Sequence, residues 1–261
     1  MADLQNRTPF VLEGVPLIDK DGWNIFVVIL KATFDIGRDT SLRVSEQQEP
    51  IWFSDQFAGQ PEITEMVVPS DCIDHKPASD IIVLQPGNLQ QRRRLFGWKV
   101  AIQVGPLKKA DRVFKVWPFG PVGRNQKPRS RYAGTYDQAW VKSRMPLLPT
   151  DFDSKYNLAA PADQVMSGYL KGDEHVKLSG LYSDGAVEFD LPGRAVVIAG
   201  NVMSRYFTDV ATLDTLLIWS DIRKIALVWR HSIRCKKIAE VCNVFVDVVR
   251  RRTATELFGK P

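Results

Sequence analysis

The chain has 261 residues, of which 44% are hydrophobic and 25% are charged. This composition is typical of a globular protein and excludes a disordered chain, because the apolar surface is large enough to offset the entropy lost on folding. The formal charge of +5 is modest, and three cysteines are too few for a disulfide-rich scaffold. We expect Cys72, Cys235 and Cys242 to be free thiols in a reducing cytoplasm.

The sequence predicts neither export nor insertion into a membrane. Met1–Phe10 lacks the basic region and following apolar run of a signal peptide. The longest apolar stretch, Ile25–Leu30, is far too short to span a bilayer. We therefore expect a cytoplasmic protein with no membrane partner.

The first part of the chain predicts β-strands. Two apolar segments, Pro9–Ile18 and Trp23–Ile36, flank the turn signal Asp19–Gly22, which predicts a hairpin. Further strands are predicted at Ser79–Leu84, Trp98–Val104 and Asp111–Trp117. Trp98–Val104 is expected to pair with Asp111–Trp117. The apolar residues of Trp98–Val104 alternate with a period of two, which is typical of a strand.

The middle of the chain, Pro118–Pro161, differs in character. It has prolines at positions 118, 121, 128, 146, 149 and 161 and few apolar runs. Its aromatic side chains provide enough apolar area to hold the segment against a core. We therefore expect an ordered but irregular segment, followed by a short helix at Ala162–Met166.

Strands resume after this segment. One hairpin is predicted from Val176–Leu181 and Val187–Leu191, which flank an Asp-Gly pair. The remaining strands are predicted at Arg194–Ala199, Asp214–Trp219, Lys224–Arg230 and Glu240–Val249. The last range also fits a helical period, but its valine content favours a strand with Cys242, Val244, Val246 and Val248 on one face.

Many short strands separated by turn signals predict a mainly β fold with two antiparallel sheets arranged as a sandwich and little helix. We divide the chain into a β half at residues 1–117, the irregular segment at residues 118–166 and a second β half at residues 167–261. These three parts are expected to form one continuous unit.

Basic residues are concentrated in two blocks. Pro86–Arg131 contains twelve Lys and Arg residues against one acid, and Arg223–Arg252 contains nine against two. Such blocks could contact phosphates. The favoured interpretation is a solvated face whose charges meet the protein's own acidic regions, because the sequence has no aromatic platform or motif typical of nucleic-acid binding.

Two polar clusters are candidates for chemistry. Asp71–Lys76 has residue types that ligate metals or, through Cys72 and His75, form a thiol–imidazole pair. The spacing fits neither site well, so a polar loop in which Lys76 pairs with Asp80 is favoured.

The second cluster, Gly172–His175, contains Asp173, Glu174 and His175. Neighbouring side chains on a strand point to opposite faces, so a turn leading into the next strand is favoured here. A hydrolase-like enzyme would need the fold to bring this cluster to Asp71 and His75.

The most distinctive segment is Gly134–Trp140, followed by Arg144–Asp153. Glycine permits a tight turn, and the prolines stiffen the chain between aromatic residues. Rigid aromatic and arginine side chains dominate binding energies at protein interfaces, so this stretch has the properties of a recognition loop. A purely architectural role is the alternative.

These residues carry a resemblance to a known family. Phe119–Trp140, Arg144–Asp153, Tyr156–Gln164 and Leu170–Glu174 resemble an uncharacterised-domain family encoded beside type VI secretion effectors and PAAR-repeat spike-tip proteins. Weaker similarity extends over most of the chain, at Lys31–Ile36, Glu46–Gly59, Pro69–Val83 and the strands around Asp214–Arg230. The chain departs from the family pattern at Gln126 and in a shorter stretch before Pro118.

The resemblance implies a bacterial, cytoplasmic adaptor or chaperone that holds an effector and helps load it onto the VgrG–PAAR spike. It implies no enzymatic activity, no cofactor and no metal. On this hypothesis the partners are an effector protein and the spike components, with neither membrane nor nucleic acid. We expect the partner-binding residues to be Tyr136, Asp137, Trp140, Arg144, Phe152 and Tyr156.

Overall fold

The computed structural model describes residues 3–59, 66–84, 97–113, 117, 119–121, 157–182 and 185–250. These residues form sixteen strands: β1 (Leu4–Asn6), β2 (Val11–Ile18), β3 (Asn24–Ile36), β4 (Leu42–Val44), β5 (Gln56–Phe57), β6 (Met66–Val68), β7 (Asp80–Leu84), β8 (Trp98–Val104), β9 (Leu107–Val113), β10 (His175–Tyr182), β11 (Gly185–Asp190), β12 (Arg194–Val202), β13 (Arg205–Val210), β14 (Thr212–Trp219), β15 (Lys224–Cys235) and β16 (Val241–Arg250). Two 3-10 turns, Ala162–Gln164 and Ile238–Glu240, accompany them.

The largest sheet has six strands. Its order is β2-β3-β15-β14-β7, and β4 adds to β3. Strands β3 and β15 are long, most of their residues are buried, and they pair antiparallel along the length of β15. Strand β7, whose five residues are all buried, lies at one edge and runs parallel to β14.

Two four-stranded sheets, with the orders β11-β10-β8-β9 and β1-β16-β12-β13, accompany it. Side chains of all three sheets share one hydrophobic core, which contains Trp229 of β15, Leu178 of β10 and Ile198 of β12. Burying one face of each sheet in this way provides the dominant favourable free energy of folding. The predicted mainly β, sandwich-like fold is confirmed.

Strands from both predicted halves share the sheets. The six-stranded sheet joins β3 and β7 to β14 and β15, and β8 pairs with β10. Strands that precede the irregular segment therefore depend for their hydrogen bonds on strands that follow it. Within the described residues, the two halves form a single packed body rather than separate lobes.

Two predictions about individual strands need correction. The strand predicted at Asp111–Trp117 begins earlier, at Leu107, because the turn at Gly105 and Pro106 sets its register against β8. Cys242 was predicted to share a face with Val244 and Val246, but it is exposed whereas those two valines are buried. An extra residue in β16 opposite β12 shifts the register there, and Asn243 has a φ of 48°.

Other predicted elements match the structure more closely. The Glu240–Val249 range is a strand, and the helix predicted at Ala162–Met166 is a single 3-10 turn. The three cysteines are free thiols, as expected. No helix in the described part of the chain is long and apolar enough to cross a bilayer.

Candidate partner-binding site

The six predicted partner-binding residues fall in one stretch, residues 122–156, which we call the central segment. All six lie outside the described residues: Tyr136, Asp137, Trp140, Arg144, Phe152 and Tyr156. The structure does describe what lies on either side, at residues 117 and 119–121 and at residues 157–166. These flanks show how the central segment is connected to the fold.

The N-terminal flank is attached to the outer edge of β7. The Trp117 indole Nε1 donates to the carbonyl of Val83 at 2.8 Å, and the Val83 amide donates to the carbonyl of Phe119 at 3.0 Å. Both aromatic rings are buried and lie 5.4 Å apart between centroids. Burying two large rings and a satisfied indole N–H fixes the chain firmly at this point.

The C-terminal flank is attached to the same strand. The amide of Ala159 donates to Asp80 Oδ2 at 2.8 Å, and Asp80 also forms a bridge with Val165. The Asn157 side chain donates to Asp74 Oδ1 and to the carbonyl of His75, both at 2.7 Å. The first described residue after the central segment is therefore already hydrogen-bonded to the fold.

Gln164 ties the two flanks together. Its side chain is fully buried, and Nε2 donates to the carbonyls of Ile81 at 2.7 Å and Phe119 at 2.9 Å. Its Oε1 accepts a hydrogen bond from Lys109 Nζ at 2.8 Å. A single side chain thus links strand β7, the N-terminal flank and the hairpin strand β9.

We expect Gln164→Ala to lower the free energy of unfolding by about 1–3 kcal/mol, because it leaves buried carbonyls without their donor. Chemical denaturation measures this loss. The matched control is Gln47→Ala, which removes an exposed glutamine and should change stability by less than about 0.5 kcal/mol. Equal effects of the two substitutions would contradict the linking role of Gln164.

A continuous network of buried charges lies on one face of the six-stranded sheet and includes Asp80 of β7. We call the residues Lys31, Asp71, Lys76, Asp80, Asp214 and Arg230 the buried ion cluster; all six are at least nine-tenths buried. Lys31 pairs with Asp71 at 2.8 Å, Lys76 pairs with Asp80 at 2.7 Å, and Arg230 pairs with Asp214. The cluster holds three cations and three carboxylates, so its formal charges balance.

The hydroxyl of Thr215 joins these pairs into one network. It accepts from Lys76 Nζ and donates to Asp214 Oδ1, both at 2.8 Å. Arg230 then donates to the carbonyl of Asp71 at 2.8 Å, which connects the network to Lys31. Buried charges are tolerated only with such partners, because desolvation of an unpaired ion is very costly.

Strand register explains why these residues meet. Pairing places Lys31, Thr215 and Asp80 in one row across the six-stranded sheet, on the same face. A register shift between Leu213 and Thr215 makes Asp214 an extra residue, and such bulges redirect a side chain. The carboxylate of Asp214 is thereby aimed at Arg230.

Residues 71–76 form a polar loop before β7. Lys76 pairs with Asp80, as the polar-loop interpretation predicted. His75 Nδ1 lies 2.9 Å from Asp74 Oδ2, so the imidazole is engaged by its neighbour. Burial raises the pKa of Cys72, which opposes formation of the thiolate that a nucleophile needs. No group of metal-ligating side chains is found in the described part of the chain.

The second cluster forms the predicted turn into β10. The Glu174 carboxylate accepts from the backbone amides of Lys171 and Gly172. His175 is exposed, and its Nδ1 lies 2.8 Å from Asp190 on the neighbouring strand. His75 therefore pairs with Asp74 in the loop before β7, whereas His175 pairs with Asp190 across β10 and β11.

Three cations of the second basic block pair with acids elsewhere in the protein. Arg230 is held by Asp214, and Arg234 lies 2.6 Å from Asp19. Lys224 lies 3.6 Å from Asp35. For these three residues, the pairs agree with the interpretation that the block meets the protein's own acids. Arg92–Arg94 of the first block lie outside the described residues.

The Asp74–His75 pair predicts a pH dependence of stability. The hydrogen bond that the His75 imidazole donates to Asp74 raises the pKa of His75 above 6.5. Burial would raise the pKa of Asp74, but hydrogen bonds from His75 and Asn157 outweigh it and hold the pKa below 3.8. The contribution of His75 is thus complete below pH 6.5 and disappears as the pH rises through its folded pKa.

This prediction is tested by measuring the free energy of unfolding of the wild type and of His75→Gln across pH. The difference between them should be largest at mildly acidic pH and shrink above neutrality. At still lower pH it should shrink again, as Asp74 is protonated in the folded state. A difference that does not vary with pH would contradict the pairing.

Sequence reasoning did not identify Gln164, Lys31, Asp214 or Arg230. A signal was available for two of them, since Lys31 and Asp214 each lie between apolar neighbours in a predicted strand. A charged residue inside such a strand is buried only with a partner. The sequence does not say which partner it is, because the partners come from distant strands and from a bulge.

Comparison with known proteins gives one match. No curated protein and no solved structure matches the chain. One family model, described as an uncharacterised protein conserved in bacteria (DUF2169), matches residues 21–118 and 115–230. The matched residues include β7, both flanks of the central segment and the buried ion cluster. The chain belongs to this bacterial family.

Proposed function

We propose that the protein is a non-enzymatic adaptor that binds a type VI secretion effector and helps load it onto the PAAR–VgrG spike. The resemblance of Phe119–Trp140 and Arg144–Asp153 to a family encoded beside such effectors motivates the choice of partner. Membership of a bacterial family is compatible with it.

The observation that carries the proposal is the attachment of both flanks to β7. The described residues on either side of residues 122–156 bond to one buried strand, through Phe119 on one side and Ala159 on the other. A binding segment whose ends are already fixed loses less conformational entropy on association, which strengthens binding. The composition of this segment, rich in aromatics, proline and arginine, suits a protein partner.

The proposal is tested by co-expression with the effector encoded next to the gene for this protein. Affinity purification through a tag on the effector should recover the two chains together, and the effector should remain soluble only when both are made. The control is an unrelated effector of similar size, which should not be retained. If the intact protein neither retains nor stabilises its neighbouring effector, the adaptor function is wrong.

A further inference from the structure

Among the described residues, strand β13 forms one edge of the β1-β16-β12-β13 sheet. In the described part of the chain it pairs only with β12. Open edges are templates for further strands, and proteins commonly protect them with proline or lysine. Strand β2 carries Pro16, and β9 carries Lys108 and Lys109. Strand β13 has neither residue type.

The sequence of β13 is complementary to itself when it runs antiparallel. The strand reads Arg-Tyr-Phe-Thr-Asp-Val from Arg205 to Val210. A two-fold axis at Phe207 places Arg205 opposite Asp209 of a second copy, and Tyr206 opposite its Thr208. Opposite charges and aromatic–β-branched pairs are both favourable cross-strand neighbours. By symmetry, each contact occurs twice.

The backbone allows the same register. Met203 and Ser204 form a two-residue turn and have φ values of 51° and 62°, which are typical of a type I′ hairpin. In such a hairpin the backbone groups of Arg205 hydrogen-bond to Val202 of β12. Because the backbone N–H and C=O groups of successive residues point to alternate sides of a strand, those of Tyr206 and Thr208 point away from β12. The register about Phe207 pairs these two residues with each other across the axis.

The side chains of β13 are available for such contacts. Tyr206 is 89% exposed, and no acidic side chain of the described residues lies within ion-pair distance of the exposed Arg205. The Asp209 side chain is 62% exposed. Among the described residues, the ion-pair neighbour of Asp209 is His231, whose Nε2 lies 3.9 Å from Asp209 Oδ2. Burial lowers the pKa of that histidine, which favours its neutral form.

We propose that two copies of this chain associate through antiparallel pairing of their β13 strands, so that the two four-stranded sheets form one continuous sheet across a two-fold axis. The paired charges Arg205 and Asp209 fix the register. This interface is isologous, and it closes as a dimer because each copy has one β13 edge. It uses a different sheet from β7 and does not depend on the adaptor function.

The test is sedimentation velocity of the full chain from about 1 to about 100 µM, since a homodimer depends on protomer concentration. The wild type should form a dimer within this range. Arg205→Asp and Asp209→Arg should each raise the dimer dissociation constant at least about tenfold, because like charges then face each other twice. The double variant exchanges the charges and should restore the wild-type constant to within about threefold.

Matched controls separate pairing from misfolding. All three variants change exposed side chains, so their thermal unfolding midpoints should match the wild type. Lys108→Glu reverses a charge on the edge strand β9 and should leave the dimer unchanged. A wild type that stays monomeric at the highest concentration overturns the proposal. So does a dimer that the single reversals do not weaken, or that the double variant fails to restore.

Discussion

Replacing Asp71 with alanine is expected to lower the free energy of unfolding by about 3–5 kcal/mol, because it leaves a buried ammonium without a counter-charge. Lys31 is fully buried, and Asp71 is the ion-pair partner that the described residues provide for it. Asp71 Oδ2 also accepts from the Trp52 amide at 2.9 Å. For a chain of this size, the loss corresponds to a decrease of about 6–20 °C in the unfolding midpoint.

Chemical and thermal denaturation measure this loss. The matched control is Asp221→Ala, which removes an exposed carboxylate from the β14–β15 turn and should cost less than about 0.5 kcal/mol. A loss below about 1 kcal/mol for Asp71→Ala would show that water or another group can replace Asp71 as the partner of Lys31. That result would contradict the role of Asp71 as the required counter-charge in the buried ion cluster.

A double substitution distinguishes the effect of an unpaired charge from a simple loss of packing. Lys31→Met with Asp71→Asn removes both charges while keeping side chains of similar volume. Replacing a buried ion pair by neutral groups is often neutral or stabilising, so the double variant should be more stable than Asp71→Ala. A double variant that is less stable than Asp71→Ala would contradict this interpretation.

The second large effect is expected in partner binding. Within the proposed function, Trp140→Ala should weaken effector binding by about 2–4 kcal/mol, or roughly 30- to 1,000-fold, if Trp140 is a central anchor of the interface. Isothermal titration calorimetry of the purified chains measures the loss. Trp23→Ala is the control, because Trp23 is a partly exposed tryptophan next to β3 and far from the central segment in sequence.

The unfolding midpoint of Trp140→Ala gives a second readout. A binding anchor leaves the midpoint close to that of the wild type, whereas an architectural prop lowers it together with binding. Unchanged affinity in Trp140→Ala would remove this residue from the proposed interface. The same comparison applies to Tyr136, Arg144 and Phe152.

The predictable part of the fold is the part encoded by local pattern. The hairpin β2–β3 follows from two apolar runs around Asp19–Gly22, and β8 follows from alternation in Trp98–Val104. Strand β13 was not predicted, because Arg205–Val210 has mixed polarity and is held by pairing with β12. Its position depends on a neighbour in the sheet rather than on its own composition.

The candidate site shows the same division. Pairing of Lys76 with Asp80 could be predicted because the two residues are four apart in sequence. The contacts of Lys31 with Asp71 and of Gln164 with Ile81 join residues 40 and 83 positions apart. They arise only when β3, β7 and the flanks are assembled, so no local pattern indicates them.

Hydrogen exchange of the full chain, free and bound to the neighbouring effector, tests the location of the binding site most directly. We predict that binding slows exchange of amides in residues 122–156, while amides of the β8–β11 sheet exchange at unchanged rates. Slower exchange confined to other strands, with residues 122–156 exchanging equally fast in the free and the bound protein, would contradict a binding site in residues 122–156.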